Sequence, residues 1–402
     1  MKVTNNMLKY IPFVNTNSDV SILKSYYSEA TIIRVALDKI DDIKTKLPGN
    51  IRLWLDAGVD GYEHHLKKGT EPIPSYLVDC SNSNEIFEER HLAKPNQSIV
   101  GNFVSSVLNK CITYNPQWLT IPQLPVSDSN ERNKINLSLA KAALIWKLNK
   151  NFKGSLVLPL IFTHKQQVMQ KTHWKPRVDS AIRSLQVTQA DKLWIVDASL
   201  ADQNAERSFV DRFPSVIALH EYIKDQTQTL LIAGPYWGLN LVLWAREIID
   251  YPAIGLGTGY QYHLPGSAHL HKGNTRIVLP PLRRLAVASK DLKNWLNEAV
   301  QQISDSDPAF EQFRQARQEL GQCLKDIRPG VEAITAKNQV AKFYKNWIDK
   351  INATDPNGRA LALYQDLSSA FVLGKHLKTL PSSCGKARRP ETVAQYLMLN
   401  CL

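Results

Sequence analysis

Residues 229–263, TLLIAGPYWGLNLVLWAREIIDYPAIGLGTGYQYH, read as strand, glycine turn, amphipathic helix, second strand and second glycine-rich turn. Leu230-Leu231-Ile232-Ala233 is a short continuous apolar run ending at Gly234-Pro235, as a strand buried on both faces requires. Leu239, Val242 and Leu243 repeat at helical spacing, with Arg246 and Glu247 turned outward. Pro252 follows the helix, Ala253-Ile254-Gly255-Leu256 forms the next strand, and Gly257-Thr258-Gly259 is its exit. This is one βαβ unit, and both of its exits are rich in glycine.

The same grammar runs outward in both directions. Toward the N-terminus, apolar runs mark strands at 31–37, 51–55, 118–122, 156–162 and 193–196, and a further strand stands at 276–279. Asp128 or Ser129 can cap a helix carrying Leu137, Ala140, Leu144, Ile145 and Leu148 at a 3.6-residue period. Eight strands, nearly every one followed by a helical or inserted segment, predict a (β/α)8 barrel over residues 1–288. An open doubly wound sheet would want GxGxxG after its first strand, and none is present. Residues 1–30 read as a lead-in. The gap between the second and third strands, about 59–117, is too long for a βα loop and predicts an insertion able to act as a lid, with Tyr62, His64 and His65 at its start. From 289 to 402 the pattern becomes helical, with Pro308, Pro329 and TDPNG at 354–358 as breaks.

The 402 residues are 44% hydrophobic and 21% charged, an ordinary globular composition with no apolar run of membrane-spanning length. The N-terminus lacks the apolar core of a signal peptide, so the expected location is the cytoplasm and no membrane contact is expected. Five scattered cysteines with no CxxC pair predict free thiols rather than a zinc ribbon or a disulfide framework, and no metal site is assigned. A net charge of +12 points to a polyanionic partner, nucleic acid or a phosphorylated ligand. The densest basic patch is KARRP at 386–390.

In such a barrel the chemistry lies where the strands end. Asp56 and Asp197 leave LWLD and LWIVD and could supply an acid and a base, a nucleophile or metal ligands; the bland reading is that each caps its own turn. His164 follows the strand at 156–162 and could shuttle protons. Gly234 and Gly257, with Thr258, could bring backbone donors to a phosphate, and Arg283 could add charge. Gln123 and His263 also leave strand ends, and Tyr236, Trp237, Tyr260 and Tyr262 could form an aromatic wall for a base or sugar. His269 and His271 give an HLH spacing, but in a loop.

The stretch LWLDAG at 53–58 resembles the Asp-x-Gly-Gly strand exit of the queuine tRNA-ribosyltransferases and their DNA-modifying relatives, barrels that exchange bases in nucleic acid. Their zinc-binding cysteine cluster is absent here, and no residue role is carried over. Two functions are therefore expected as alternatives. One is a barrel enzyme, a hydrolase or base-exchange transferase, working on glycosidic or phosphodiester bonds. The other is a non-catalytic nucleic-acid-binding or assembly subunit that docks a protein through its C-terminal helices.

Overall fold

The structure, a computed structural model, describes residues 10–68, 73–200, 212–257, 262, 264, 275–303, 310–327, 333–385 and 387–402. Eight strands close into a barrel in chain order. They are β1 (Ile11–Phe13), β2 (Ile32–Ala36), β3 (Arg52–Asp56), β4 (Trp118–Thr120), β5 (Ser155–Phe162), β6 (Lys192–Asp197), β7 (Leu230–Ala233) and β8 (Tyr251–Gly255). Every neighbouring pair is parallel, including β8 with β1. Outside the ring, α1 (Asn17–Tyr26) follows β1 and α2 (Ile40–Ile43) follows β2. The connection to β4 holds α3 (Tyr62–Lys68), α4 (Ser75–Val78), α5 (Glu89–Ala93) and α6 (Gln97–Ile112). Then α7 (Asn130–Asn149), α8 (Lys171–Thr188), α9 (Phe213–Gln226) and α10 (Leu239–Ala245) follow β4 to β7. The (β/α)8 barrel is the observed fold.

Two strands differ from the expectation, which shifts the numbering by one. The first barrel strand is Ile11-Pro12-Phe13, inside the supposed lead-in. Three residues around a proline give almost no strand signal, because proline offers the ladder no N–H. Residues 276–279 lie outside the barrel. As β9 (Arg276–Leu279) they pair antiparallel with β10 (Arg284–Val287), after Pro280 and Pro281 turn the chain and Arg283 adopts a left-handed φ of 53°. The long insertion consequently follows β3, and the glycine-rich exits belong to β7 and β8.

Local chemistry sets the helix starts. At α1, Thr16 accepts the Asp19 N–H at 3.2 Å while Asp19 accepts the Thr16 N–H at 2.9 Å, a capping box. Ser129 caps α7, and Asp128 instead pairs with Arg177 of α8. Helix α6 stands beside α7, tied to it by the Trp146 indole N–H donating to Asn109 at 3.0 Å, so it serves as the outer helix for β3.

The helical region begins with α11 (Lys290–Gln302), α12 (Phe310–Asp326) and α13 (Ala333–Asn352), followed by α14 (Arg359–His376) and α15 (Thr392–Met398). Leu292, Trp295, Leu296 and Ala299 of α11 fall at i, i+3, i+4 and i+7, and all are buried. With α12 and the β9–β10 hairpin they form a small separate core. The side chains of α13 behave differently: Val340, Tyr344, Trp347 and Ile348 join the core of the barrel. Tyr27, just after α1, donates to the Ala341 carbonyl at 3.0 Å, and Tyr344 donates to the Tyr236 carbonyl at 3.3 Å. Since β8 lies between β7 and β1, α13 fills the slot where a helix directly after β8 would sit. Helices α14 and α15 then cover α10, all seven of whose residues are buried. Burial on every side of 239–245 replaces the amphipathic character read there, whereas Arg246 and Glu247, just past the helix, do turn outward, half-buried and exposed respectively.

Candidate functional site at the barrel mouth

The pairing register builds the site. Phe13 lies opposite Arg34, Arg34 opposite Trp54, and Ala36 opposite Asp56. Side chains alternate across a strand, so Arg34, Trp54 and Asp56 face the lumen together. Phe13, Trp54 and Trp194 meet edge to face there, with ring centres 5.7, 5.6 and 5.4 Å apart. Tyr262 lies edge-on above Trp194 at 4.9 Å. The Arg34 guanidinium sits over these rings, 4.9 Å from Phe13, 5.4 Å from Tyr262 and 5.6 Å from Trp194.

Arg34 and Asp56 are 2% and 1% exposed, and a bare charge at such burial would be prohibitive. Both are paired. Arg34 donates to Asp56 Oδ2 from Nε at 3.1 Å and from Nη2, and the Gly58 N–H donates to Asp56 Oδ1 at 3.0 Å. Burial alone would lower the Arg34 pKa, but the charge and hydrogen bond of Asp56 raise it above the usual guanidinium value. Asp60, also buried, accepts from the Tyr262 hydroxyl at 2.8 Å. Burial, and then the Asp56 charge, push its carboxyl up to about 7, against the pull of Tyr262 and Arg34. One strand exit thus holds two carboxyls in different settings, one locked to a cation and one poised to titrate near neutrality.

A crevice at this point is lined by Asp56, Asp60, Thr120, Gln123, Ile161 and Trp194, and it is too narrow for a water-sized sphere. Gln123 is held there by donating to the Asn136 carbonyl at 2.8 Å. Tyr76 of the insertion donates to the Gly58 carbonyl at 2.8 Å, so α4 does reach the mouth. Tyr62 does not: its ring packs against Phe87 at 4.4 Å and its hydroxyl donates to the Ser83 carbonyl at 3.0 Å, within the insertion itself.

Other expected site residues are dispersed. Asp197 stands three residues beyond lumen-facing Trp194, so alternation turns it to the outer face of the wall, away from Asp56. There it accepts from Arg212 at 3.0 Å and from the Ser199 hydroxyl and N–H at 2.6 and 2.9 Å. Burial raises its pKa despite these partners. The His164 ring caps the turn at 165–167, whose Gln167 side chain accepts the His164 N–H at 3.1 Å. Gly234 has φ +85°, and the loop it starts is buried beneath α13. Its Tyr236 hydroxyl accepts the Asp197 N–H at 2.8 Å, and Trp237 stacks on Phe343 at 5.9 Å, so neither lines the mouth. His220 lies edge-on to Tyr236 at 6.2 Å behind the wall, its pKa lowered by burial to about 4.

Arg283 belongs to the β9–β10 turn, where it binds Asp366 at 2.6 and 2.8 Å, which removes it from the barrel mouth. Arg284 is fully buried and donates to the Arg389 and Ala387 carbonyls at 2.9 and 2.8 Å, so it fastens residues 387–389 of the basic patch to the hairpin. Gly257 is half-buried with open space around it. Thr258, Tyr260 and His263, with Gln261, His269 and His271, lie outside the described residues. The sequence reading passed over Arg34, although one arginine within the apolar run TIIRVAL was the available signal of an inward cation.

Among the described residues no helix is long and apolar enough to cross a membrane, and no group of three or more His, Cys, Asp or Glu is placed to hold a metal. The five cysteines are free and buried. No protein-family model and no curated protein matches the chain. Solved structures are similar to it at low identity, three of them as follows. The N-(5'-phosphoribosyl)anthranilate isomerase of Pyrococcus furiosus is 8% identical over 61% of this chain and 88% of the other, with a TM-score of 0.31. The GH53 catalytic domain of Ignisphaera aggregans is 12% identical over 58% and 69%, with a TM-score of 0.35. The carboxyl transferase domain of Rhizobium etli pyruvate carboxylase is 10% identical over 97% and 68%, with a TM-score of 0.37. The barrel assignment itself rests on the closed ring of paired strands.

Proposed function

We propose that the barrel is an enzyme acting on a nucleotide or nucleic-acid substrate, by glycosidic-bond or phosphodiester chemistry. Asp60 moves the proton, and the Arg34–Asp56 pair fixes the charge beside it. One observation carries the reading: two buried carboxyls leave β3 together at the C-terminal end of the barrel, and the environment separates their roles. A group titrating near 7 can both accept and return a proton at working pH. The net charge of +12 supports a polyanionic substrate. In this reading Gln123 orients the substrate, and Gly257, Thr258, Tyr260 and His263, which follow β8 in sequence, meet its anionic group. Asp197 becomes a positioning residue, since its partner Arg212 stands at the start of α9.

The test is incubation with RNA, single-stranded DNA, duplex DNA and mononucleotides, followed by mass spectrometry of the nucleic acid. Loss of an acid–base group costs about 10²–10⁴ in rate, so Asp60→Asn should reduce product formation at least 100-fold while substrate binding persists. An unchanged rate in Asp60→Asn would end this mechanism.

The closed crevice favours a second reading, a barrel without chemistry that serves as a nucleic-acid-binding or assembly subunit. That protein would bind nucleic acid without altering it and would ignore Asp60→Asn. Charge reversal at surface lysines would still weaken its binding.

A further inference from the structure

Away from the mouth, a cavity of about 430 Å³ opens between the β9–β10 hairpin, α12 and α13, within the size range of small-molecule sites. Its aromatic wall is Phe343 and Trp347, whose ring centres are 5.7 Å apart, and Phe343 is backed by Trp237 in a near-parallel stack at 18°. The Arg283 guanidinium lies 5.5 Å from Phe343 and 5.8 Å from Trp347, locked in place by the buried Asp366 carboxylate. Among the described residues the Trp347 indole N–H has no hydrogen-bond partner, although the residue is only 3% exposed. The two rims differ in charge. Helix α13 presents the exposed Lys342, beside Lys350, which pairs with Asp366 at 2.5 Å, and α12 presents Glu319 and Asp326, the latter accepting from Gln339 at 3.0 Å.

We infer that this cavity binds a purine mononucleotide, at a site separate from the barrel mouth and independent of the function proposed there. The ring would lie against the half-buried Phe343, with Trp347 beneath it. Its amino edge would donate to the α12 carboxylates, and its phosphate would meet Lys342 of α13. A flat ligand with donors on one side and an anion on the other matches both rims, whereas a purely anionic or purely apolar ligand would leave one rim unmatched.

Calorimetric titration of the full chain with adenosine 5′-monophosphate tests this, with ribose 5-phosphate and inorganic phosphate as probes lacking the ring. Saturable 1:1 binding is expected, at least tenfold tighter than ribose 5-phosphate. Lys342→Glu, an exposed change far from the mouth that leaves the core intact, should weaken it at least tenfold. Phe343→Leu, which keeps an apolar wall without the ring, should weaken nucleotide binding and not phosphate binding. Equal affinity for ribose 5-phosphate, indifference to Lys342→Glu, or no saturable binding at millimolar nucleotide would each overturn the assignment.

Discussion

Among the described residues, Arg34→Leu would leave the buried Asp56 carboxylate the Gly58 N–H alone as partner, and breaking one side of a buried ion pair costs about 3–5 kcal/mol. A large fall in the urea midpoint is expected, and the double variant Arg34→Leu, Asp56→Leu should recover much of it, because an apolar pair removes both charges. If the double variant is no better than the single one, the loss comes from packing under the aromatic rings rather than from the orphaned charge. Asp60 gives a prediction of opposite character. Its carboxyl sits at about 7 in the fold, against about 3.9 in an unfolded chain. The folded state binds that proton more tightly, so the associated stability is complete below pH ~4 and disappears as pH rises through about 7. The thermal midpoint should fall between pH 5 and 8 in the native protein, and Asp60→Asn should flatten that slope. A parallel slope in the variant would show that Asp60 is not its source.

Among the elements, α14 and α15 approach so closely that a Cβ added at Gly374 would lie 2.5 Å from the Glu391 amide nitrogen. Backbone cannot yield as a flexible side chain can, and Gly374→Ala should cost about 1–3 kcal/mol. Gly101, within α6, has nothing within 4 Å of its virtual Cβ. There the gain in helix propensity acts alone, and Gly101→Ala should stabilise by about 0.8–1 kcal/mol. Midpoints moving in the same direction would contradict the two environments. In α7 the helix was legible but its face was not: of the apolar positions expected there Ile145 and Leu148 are exposed, and Ile135, Leu139 and Trp146 are buried instead. The helices themselves could be read from sequence, as in α11. Their destinations could not. Nothing in VAKFYKNWIDKI shows that Tyr344 and Trp347 will join the barrel core, because periodicity reports a face and not what covers it. The expected boundary at 288/289 falls between β10 and α11, which share one core, and the core of the barrel crosses it as well through α13. A fragment of residues 1–288 should therefore lack a cooperative thermal transition. A sharp unfolding transition in that fragment would show that the barrel does not depend on α13.

At the scale of the whole molecule, the barrel was legible because parallel strands buried on both faces are written as continuous apolar runs. Such runs identify Trp54 and Trp194 as strand residues but do not reveal that they meet in the lumen. Asp56 was legible as a strand exit. Asp60, four residues on at the same exit, was legible with it, but the convergence of the two with Arg34 and Tyr262 was not, since contacts across 22 and 202 residues of chain leave no local mark. The net charge of +12 also belongs to this scale. If phosphate contacts drive association, affinity for a single-stranded oligonucleotide should fall at least tenfold between 50 and 200 mM salt, about the loss produced by a few released counterions. Binding that ignores salt would mean that the charge serves some other purpose.

Helix α13 also bears on how the protein is made. The ring of strands is complete in the chain at Gly255, but the helix that closes its outer wall is Ala333–Asn352. A ribosome translating this chain therefore exposes the apolar backs of β7, β8 and β1 until α13 has cleared the exit tunnel. Domains tend to fold as units as they emerge, and this one is denied its last wall through that interval. Slow decoding between the codons for β8 and α13 would lengthen the exposure, so this stretch of the message is where nascent-chain chaperones have the most to protect.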